Sequence, residues 1–287
     1  MKHEKIPMSC REITDKILQI IQSTGKNILI NEQKCIQFKS KKHYVIKTEL
    51  FLIENSKKLK KPLEIVIKLF NDKILNYLEY WNNENNQYLK LKSLFGENNL
   101  PKLIFSTPGL VIYEYIHGIN YFNLLMNRKL SNESLSFLSE WFYSLHKRGI
   151  VFGDSRLTNF ILSKDNKLFV IDYEEIHRDD VVRDASNLMF SFIDNYPGIL
   201  EHANIDYHLQ QMFIFLKSYY SLIRDSPPYS LCNFSDNNDF ISFWVEQLKK
   251  SLKMVVERRS LKINSEEINE MVGIIKKAFF QFFPKLF

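Results

Sequence analysis

Apolar residues at three- and four-residue intervals open the chain. Ile13, Ile17, Ile20 and Ile21 make one stripe across 11–23 and Gly25 follows as a stop, so the spacing predicts an amphipathic helix. Between 27 and 70 the period changes. β-Branched and aromatic runs at 28–30, 36–38, 44–53 and 63–70 alternate with polar, lysine-rich connections, which reads as an antiparallel meander. Helical spacing returns over 74–94 through Leu78, Trp81, Tyr88 and Leu91, and strands are expected at 102–105 and 110–116, with Gly118 as a break. The next helix is expected over 132–148. Ser131 is placed to cap it, Leu135, Leu138, Trp141, Phe142 and Leu145 form its apolar face, and Lys147, Arg148 and Gly149 close it. Short strands follow at 150–152, 160–162 and 168–171. Beyond 184 the pattern is helical, with breaks near Pro197-Gly198 and Ser226-Pro227-Pro228.

A strand-rich half holding one helix, followed by a helical half, is an α+β arrangement. The boundaries expected are a helical extension at 1–26, a strand-rich lobe at 27–116 and a helical lobe at 117–287. The 287 residues suit two lobes at ~150 residues per domain. Eight Gly and eight Pro argue against a fibrous or disordered chain.

The formal charge of +6 suits acidic partners such as nucleotides, RNA or an anionic membrane surface. The run Lys57-Lys58-Leu59-Lys60-Lys61 motivates an RNA-associated reading, against the plainer one of a solvated strand connection. Cys10, Cys35 and Cys232 are far apart and form no C-x-x-C pair, so neither a disulfide framework nor a zinc site is expected, and a reducing interior is the default. Charged residues interrupt every apolar run, which points to a soluble, cytoplasmic protein without a transmembrane segment. The seven histidines show no metal spacing, and His146, at a helix end, reads as structural.

The chemistry concentrates in Phe152-Gly153-Asp154-Ser155-Arg156-Leu157-Thr158-Asn159, followed by Ile171-Asp172. Two carboxylates, a carboxamide and a guanidinium in this order can hold Mg²⁺, orient a hydroxyl and neutralise phosphate charge, which is the equipment of phosphoryl transfer.

The spacing resembles the catalytic loop and metal-binding segment of the protein-kinase-like superfamily, H-R-D-x-x-x-x-N followed by D-F-G. Gly153 before Asp154 looks more like the H-G-D of its atypical and small-molecule branches: RIO kinases, KEOPS-complex kinases, lipopolysaccharide kinases and aminoglycoside phosphotransferases. The resemblance implies a two-lobed fold, with a small antiparallel-sheet N-lobe carrying one helix and a mainly helical C-lobe, and ATP with Mg²⁺ in the cleft between them. It implies that Asp154 orients the attacking hydroxyl, Arg156 stabilises the transferred phosphoryl group, and Asn159 and Asp172 hold the metal. Lys68, in Glu64-Ile65-Val66-Ile67-Lys68, resembles the V-A-I-K lysine that meets the α- and β-phosphates. Its partner would be a Glu on the helix 74–94. Glu84 lies three residues after Trp81 and four before Tyr88, on the apolar stripe, whereas Glu79 neighbours Asn82, Asn83 and Asn86, so Glu84 is selected. Glu114 and Ile116 would offer backbone groups to adenine. Asp184 would brace the catalytic loop, or serve as a plain N-cap of the helix beginning at Ala185, or both.

The chain departs from the pattern in several places. Lys39-Ser40-Lys41-Lys42-His43 stands where a glycine-rich loop is expected, Phe152 replaces the loop His, and Glu174 replaces the Gly after the metal Asp. Only 11 residues separate Asp172 from Asp184 (184 − 172 − 1), too few for a long activation loop. The segment Glu267–Phe287 is amphipathic, basic and aromatic. It is expected to pack as a last helix, the alternative being a membrane or partner surface. The function expected is transfer of the γ-phosphate of ATP to a hydroxyl-bearing acceptor, a protein Ser/Thr placed ahead of a small molecule or lipid sugar. A pseudokinase that binds nucleotide or a partner without turnover is the alternative.

Overall fold

The computed structural model of the chain describes residues 8–26, 28–38, 40, 42–54, 57–58, 62–194, 199–201, 203–224 and 234–282. The expectations at Lys39, Lys41, 59–61, Pro197-Gly198, 226–228, Cys232 and 283–287 fall outside these residues. The chain is α+β and divides into two compact units, Met1–His117 and Gly118–Phe287.

The first unit begins with α1 (Cys10–Ser23), whose start is specified by a capping box. The Ser9 hydroxyl accepts the Glu12 N–H, and the Glu12 carboxylate accepts the Ser9 N–H at 2.7 Å. Ile13, Ile17 and Ile21 are buried against Ile46, Leu50, Ile65 and Ile67, so the stripe that predicts the helix also docks it on a sheet. That sheet contains β1 (Ile28–Ile30), β2 (Ile36–Phe38), β3 (Tyr44–Glu54), β4 (Lys57–Lys58), β5 (Leu63–Leu69), β6 (Leu103–Thr107) and β7 (Leu110–Glu114), with α2 (Tyr77–Phe95) between β5 and β6. Its path is β1-β3-β5-β7-β6, all antiparallel.

The expected meander is corrected in its first half: β1 does not pair with β2. Both pair with β3, Ile28–Ile30 opposite Leu50–Leu52 and Ile36–Phe38 opposite Val45–Lys47. The 11-residue β3 is long enough to seat both short strands, and the turn Glu32–Lys34 carries the chain from one to the other. On β5 the side chains alternate. Ile65, Ile67 and Leu69 are buried and Lys68 leaves on the opposite face.

Docking of α1 has a second consequence. It brings Cys10 to Cys35, and the two form a disulfide with Cα atoms 6.0 Å apart. The expectation of unpaired cysteines is therefore corrected. A separation of 25 residues in sequence carries no sign of the pairing, which depends on where the helix packs.

The second unit opens with β8 (Gly118–Asn120) and α3 (Tyr121–Met126), neither of them foreseen. Gly118 begins a strand rather than breaking one. It pairs with Ser163, and a Cβ there would stand 2.3 Å from the Leu162 carbonyl oxygen. Then follow α4 (Asn132–His146), capped by Ser131 as its sequence predicts, β9 (Phe160–Ser163), β10 (Leu168–Val170), α5 (Val181–Ile193), α6 (Ile205–Arg224), α7 (Asn237–Arg259) and α8 (Ser265–Phe282). The strand expected at 150–152 is reduced to one bridge, between Val151 and His177. Trp141 and Phe142 of α4 pack edge-on and tilted against Phe152 and Phe160, fixing the chain on both sides of the 153–159 loop. Phe279 of α8 sits 4.6 Å, centroid to centroid, from Phe213 of α6, so the aromatic C-terminal helix packs on its own unit. Among the described residues no helix is long and apolar enough to cross a membrane.

The disulfide closes a loop across α1 and β1, and its removal should cost about 3 kcal/mol of chain-entropy stabilisation. Denaturant unfolding of the oxidised protein and of Cys10→Ser/Cys35→Ser measures this. Coincident midpoints would show that the covalent link contributes nothing.

Candidate functional site

The 150–159 loop leaves α4 and reaches β9 by way of a short turn, Leu157–Asn159. Gly153 sits at φ +84, and a Cβ there would lie 2.3 Å from the Glu175 carbonyl oxygen. Both the left-handed backbone and the close approach demand glycine, which accounts for the residue preceding Asp154.

Asp154 is nearly buried. Its Oδ2 accepts from Asn159 Nδ2 at 3.0 Å and pairs with the Arg156 guanidinium; Asn159 Nδ2 also donates to the Asp154 carbonyl at 2.9 Å. The amide nitrogen of Asn159 thus turns toward Asp154, and its oxygen toward Thr158, whose hydroxyl donates at 3.4 Å. The Ile171 N–H donates to the Asn159 carbonyl at 3.0 Å, which fastens the end of β10 to this turn and brings Asp172 beside it. Asp172 adopts φ +67, a left-handed conformation uncommon for a residue with a Cβ and concentrated at functional positions. Burial alone would lower the Arg156 pKa. The hydrogen bond and charge of Asp154, with the charges of Asp172 and Glu175, raise it instead, so Arg156 stays a fixed cation among these carboxylates.

The loop is held from behind by Asp184. This carboxylate accepts four donors: the Phe152 N–H (2.7 Å) and His146 Nε2 (3.1 Å) on Oδ2, the Gly153 N–H (3.1 Å) and the Ser155 hydroxyl on Oδ1. Burial alone would raise its pKa. The hydrogen bond from His146, then those from the Ser155 hydroxyl and the Phe152 N–H, outweigh burial and hold it below the usual range. The N-cap reading of Asp184 is corrected: α5 begins at Val181, and Asp180 caps it by accepting the Val182 N–H at 2.9 Å. Sequence reasoning missed Ser155, Tyr219, whose hydroxyl is 2.6 Å from His146 Nδ1, and His146 as more than a helix end. These groups meet from 73 and 38 positions apart, and no local pattern reports such meetings.

In the first unit, Lys68 Nζ lies 3.1 Å from Glu84 Oε2, and both side chains are almost inaccessible. Glu84 Oε1 accepts the Tyr113 hydroxyl at 3.1 Å, a partner not anticipated, while Glu79 is exposed. Glu114 ends β7 with its N–H donated to the Lys102 carbonyl, and Ile116 is half-buried just beyond. In the turn before β3, the His43 N–H donates to Ser40, and Lys42 Nζ lies 4.7 Å from the centroid of the Tyr80 ring on α2.

Asn159 and Asp172 offer a carboxamide oxygen and a carboxylate, both hard donors. That set fits Mg²⁺, which takes one or two carboxylates and fills its octahedron with water and phosphate oxygens. Within the second unit a pocket of about 290 Å³ adjoins Asp154 and Arg156 and runs on to Glu175, Asp180, Asn187 and Met254. No protein-family model matches the chain, and no curated protein matches it.

Two outcomes follow from this geometry. Gly153→Ala should destabilise the protein by about 1–3 kcal/mol, the cost of one strained residue; an unchanged denaturation midpoint would contradict the close approach. For Asp184, a depressed folded-state pKa means that its contribution is present above the unfolded value and lost as pH falls through the folded one. The stability gap between the natural protein and Asp184→Asn should be widest near neutrality and should close at acid pH, below about pH 4. A gap independent of pH would show that the carboxylate charge is immaterial.

Proposed function

We propose that the chain is an ATP- and Mg²⁺-dependent phosphotransferase of the atypical protein-kinase-like type, which moves the γ-phosphate to an acceptor hydroxyl. The observation that carries the reading is the constellation about Asn159. Its side chain is bonded to Asp154, its carbonyl to the residue before Asp172, and Asp172 is held at a positive φ.

Asp154, whose Oδ2 is gripped by Asn159 and Arg156, is thereby oriented so that its other carboxylate oxygen accepts the proton of the attacking hydroxyl. Arg156, paired with Asp154 and half-exposed, is a permanent positive charge that would stabilise charge building on the phosphoryl oxygens. Lys68, steadied by Glu84, presents a fixed ammonium to the nucleotide phosphates. The Glu114 carbonyl and the Ile116 N–H are the backbone groups suited to an adenine edge, since the Glu114 N–H is already spent within the sheet. Asn159 and Asp172 would hold Mg²⁺, which when bound neutralises charge on the phosphates. Lysine charge near the Ser40 turn would stand in for the phosphate-binding backbone of a glycine-rich loop.

A protein Ser/Thr is one acceptor class. A second, a small-molecule hydroxyl, is favoured by the pocket of about 290 Å³ beside Asp154, close to the lower end of ligand-pocket volumes.

Incubation with Mg-ATP and assay of released ADP or labelled product tests the reading. Asp154→Ala should lower the rate by about 10²–10⁴-fold, the usual weight of a positioned base. Equal rates would remove Asp154 from catalysis, and nucleotide binding without turnover in the natural protein would turn the reading to a pseudokinase.

A further inference from the structure

Behind the loop lies a buried chain of polar groups, of which the phosphotransferase reading uses only Asp184. Tyr219 on α6, His146 at the end of α4 and Asp184 on α5 are all shut off from solvent. Tyr219 Oη lies 2.6 Å from His146 Nδ1, and His146 Nε2 lies 3.1 Å from Asp184 Oδ2. The proton positions follow from counting donors and acceptors. Asp184 is a carboxylate and can only accept, so His146 Nε2 carries a proton. The Tyr219 hydroxyl touches one polar partner among the described residues, His146 Nδ1. Were Nδ1 also protonated, the buried hydroxyl hydrogen would have no acceptor. A neutral imidazole with its proton on Nε2 satisfies every group. Burial, and after it the nearby charge of Asp184, holds the Tyr219 pKa well above its ordinary value, so the hydroxyl remains a donor.

We propose that Tyr219 is a positioning residue for the loop that carries Asp154, acting by donating to His146 Nδ1 and so locking the tautomer whose Nε2–H completes the donor set of Asp184. The other three places on that carboxylate hold the Phe152 N–H, the Gly153 N–H and the Ser155 hydroxyl, the three residues before Arg156 apart from Asp154 itself. A histidine free to change tautomer would set a lone pair against Oδ2, and the carboxylate would turn away from the loop amides. The aromatic ring has a separate task. It stacks on Phe215 at 5.8 Å and 12° and meets the His146 ring edge-on, so Tyr219→Phe removes the hydroxyl while keeping the packing.

The kinetic part of this proposal rests on the phosphotransferase reading; the structural part does not. Long-range ¹H–¹⁵N correlation on the full-length protein should find His146 neutral and protonated on Nε2. An imidazolium, or a proton on Nδ1, would overturn the proposal without any variant being made. In Tyr219→Phe, His146 should exchange between tautomers. The Phe152 and Gly153 amides should exchange with solvent about tenfold faster, the equilibrium weight of one net hydrogen bond, with α6 amides unchanged.

Tyr121→Phe is the control. Tyr121 is equally buried and donates to the Ser134 carbonyl at 2.8 Å outside the relay, so its loss should leave the two loop amides protected. If Tyr219→Phe leaves them as protected as in the natural protein, or Tyr121→Phe exposes them equally, the relay does not position the loop. Where turnover is measurable, kcat should fall with KM for ATP unchanged. Loss of amide protection in a protein that never turns over ATP would keep the relay and discard the phosphotransferase.

Discussion

Asp184 is the carboxylate on which the second unit turns. Burying an ionised group is costly, and the cost is met only when its lone pairs are filled by well-placed donors. Four donors fill them here, one from the end of α4 and three from the 152–155 loop, and the α4 donor, His146, meets Tyr219 of α6 on its other side. No member can move far without leaving a buried charge short of a partner. The loop bearing Asp154 and Asn159 is tied to the interior through its own backbone amides. This is how a loop acquires the precision that regular elements have.

The first unit applies the same logic to a pair. Lys68 leaves a strand whose alternate residues are core, and its ammonium would be unwelcome there without Glu84; Tyr113 takes the second oxygen of that carboxylate. Each charge holds the other at a fixed place, so the lysine becomes a positioned group and not merely a basic one.

Much of this was legible in the amino-acid sequence because its causes are local. The stripe of Ile13, Ile17 and Ile21 marks α1, Ser131 marks the start of α4, and the place of Glu84 between Trp81 and Tyr88 turns it to the face that meets Lys68. The spacing of Asp154, Asn159 and Asp172 marks where the polar groups gather. What stayed hidden depends on contacts between distant parts of the chain. The pairing of β1 with β3, the Cys10–Cys35 link, β8 at Gly118 and the line from Tyr219 to Asp184 each join segments whose local patterns are uninformative about one another. Of the two roles open to Asp184, brace of the loop and N-cap, the second falls to Asp180, four residues earlier, which offers the same local signal.

The short stretch from Tyr173 to His177 is fixed along its length. Tyr173 and Ile176 are buried, the Glu175 carbonyl presses on Gly153, and Val151 and His177 exchange both of their backbone hydrogen bonds. Its side chains can be varied so long as the buried ones keep their volume, but its length cannot. One inserted residue adds roughly 3.3–3.6 Å of chain and would slide the Glu175 carbonyl past the glycine it fits. A change in the number of residues here would therefore require the loop beneath to be rebuilt, whereas an exchange of exposed side chains would not.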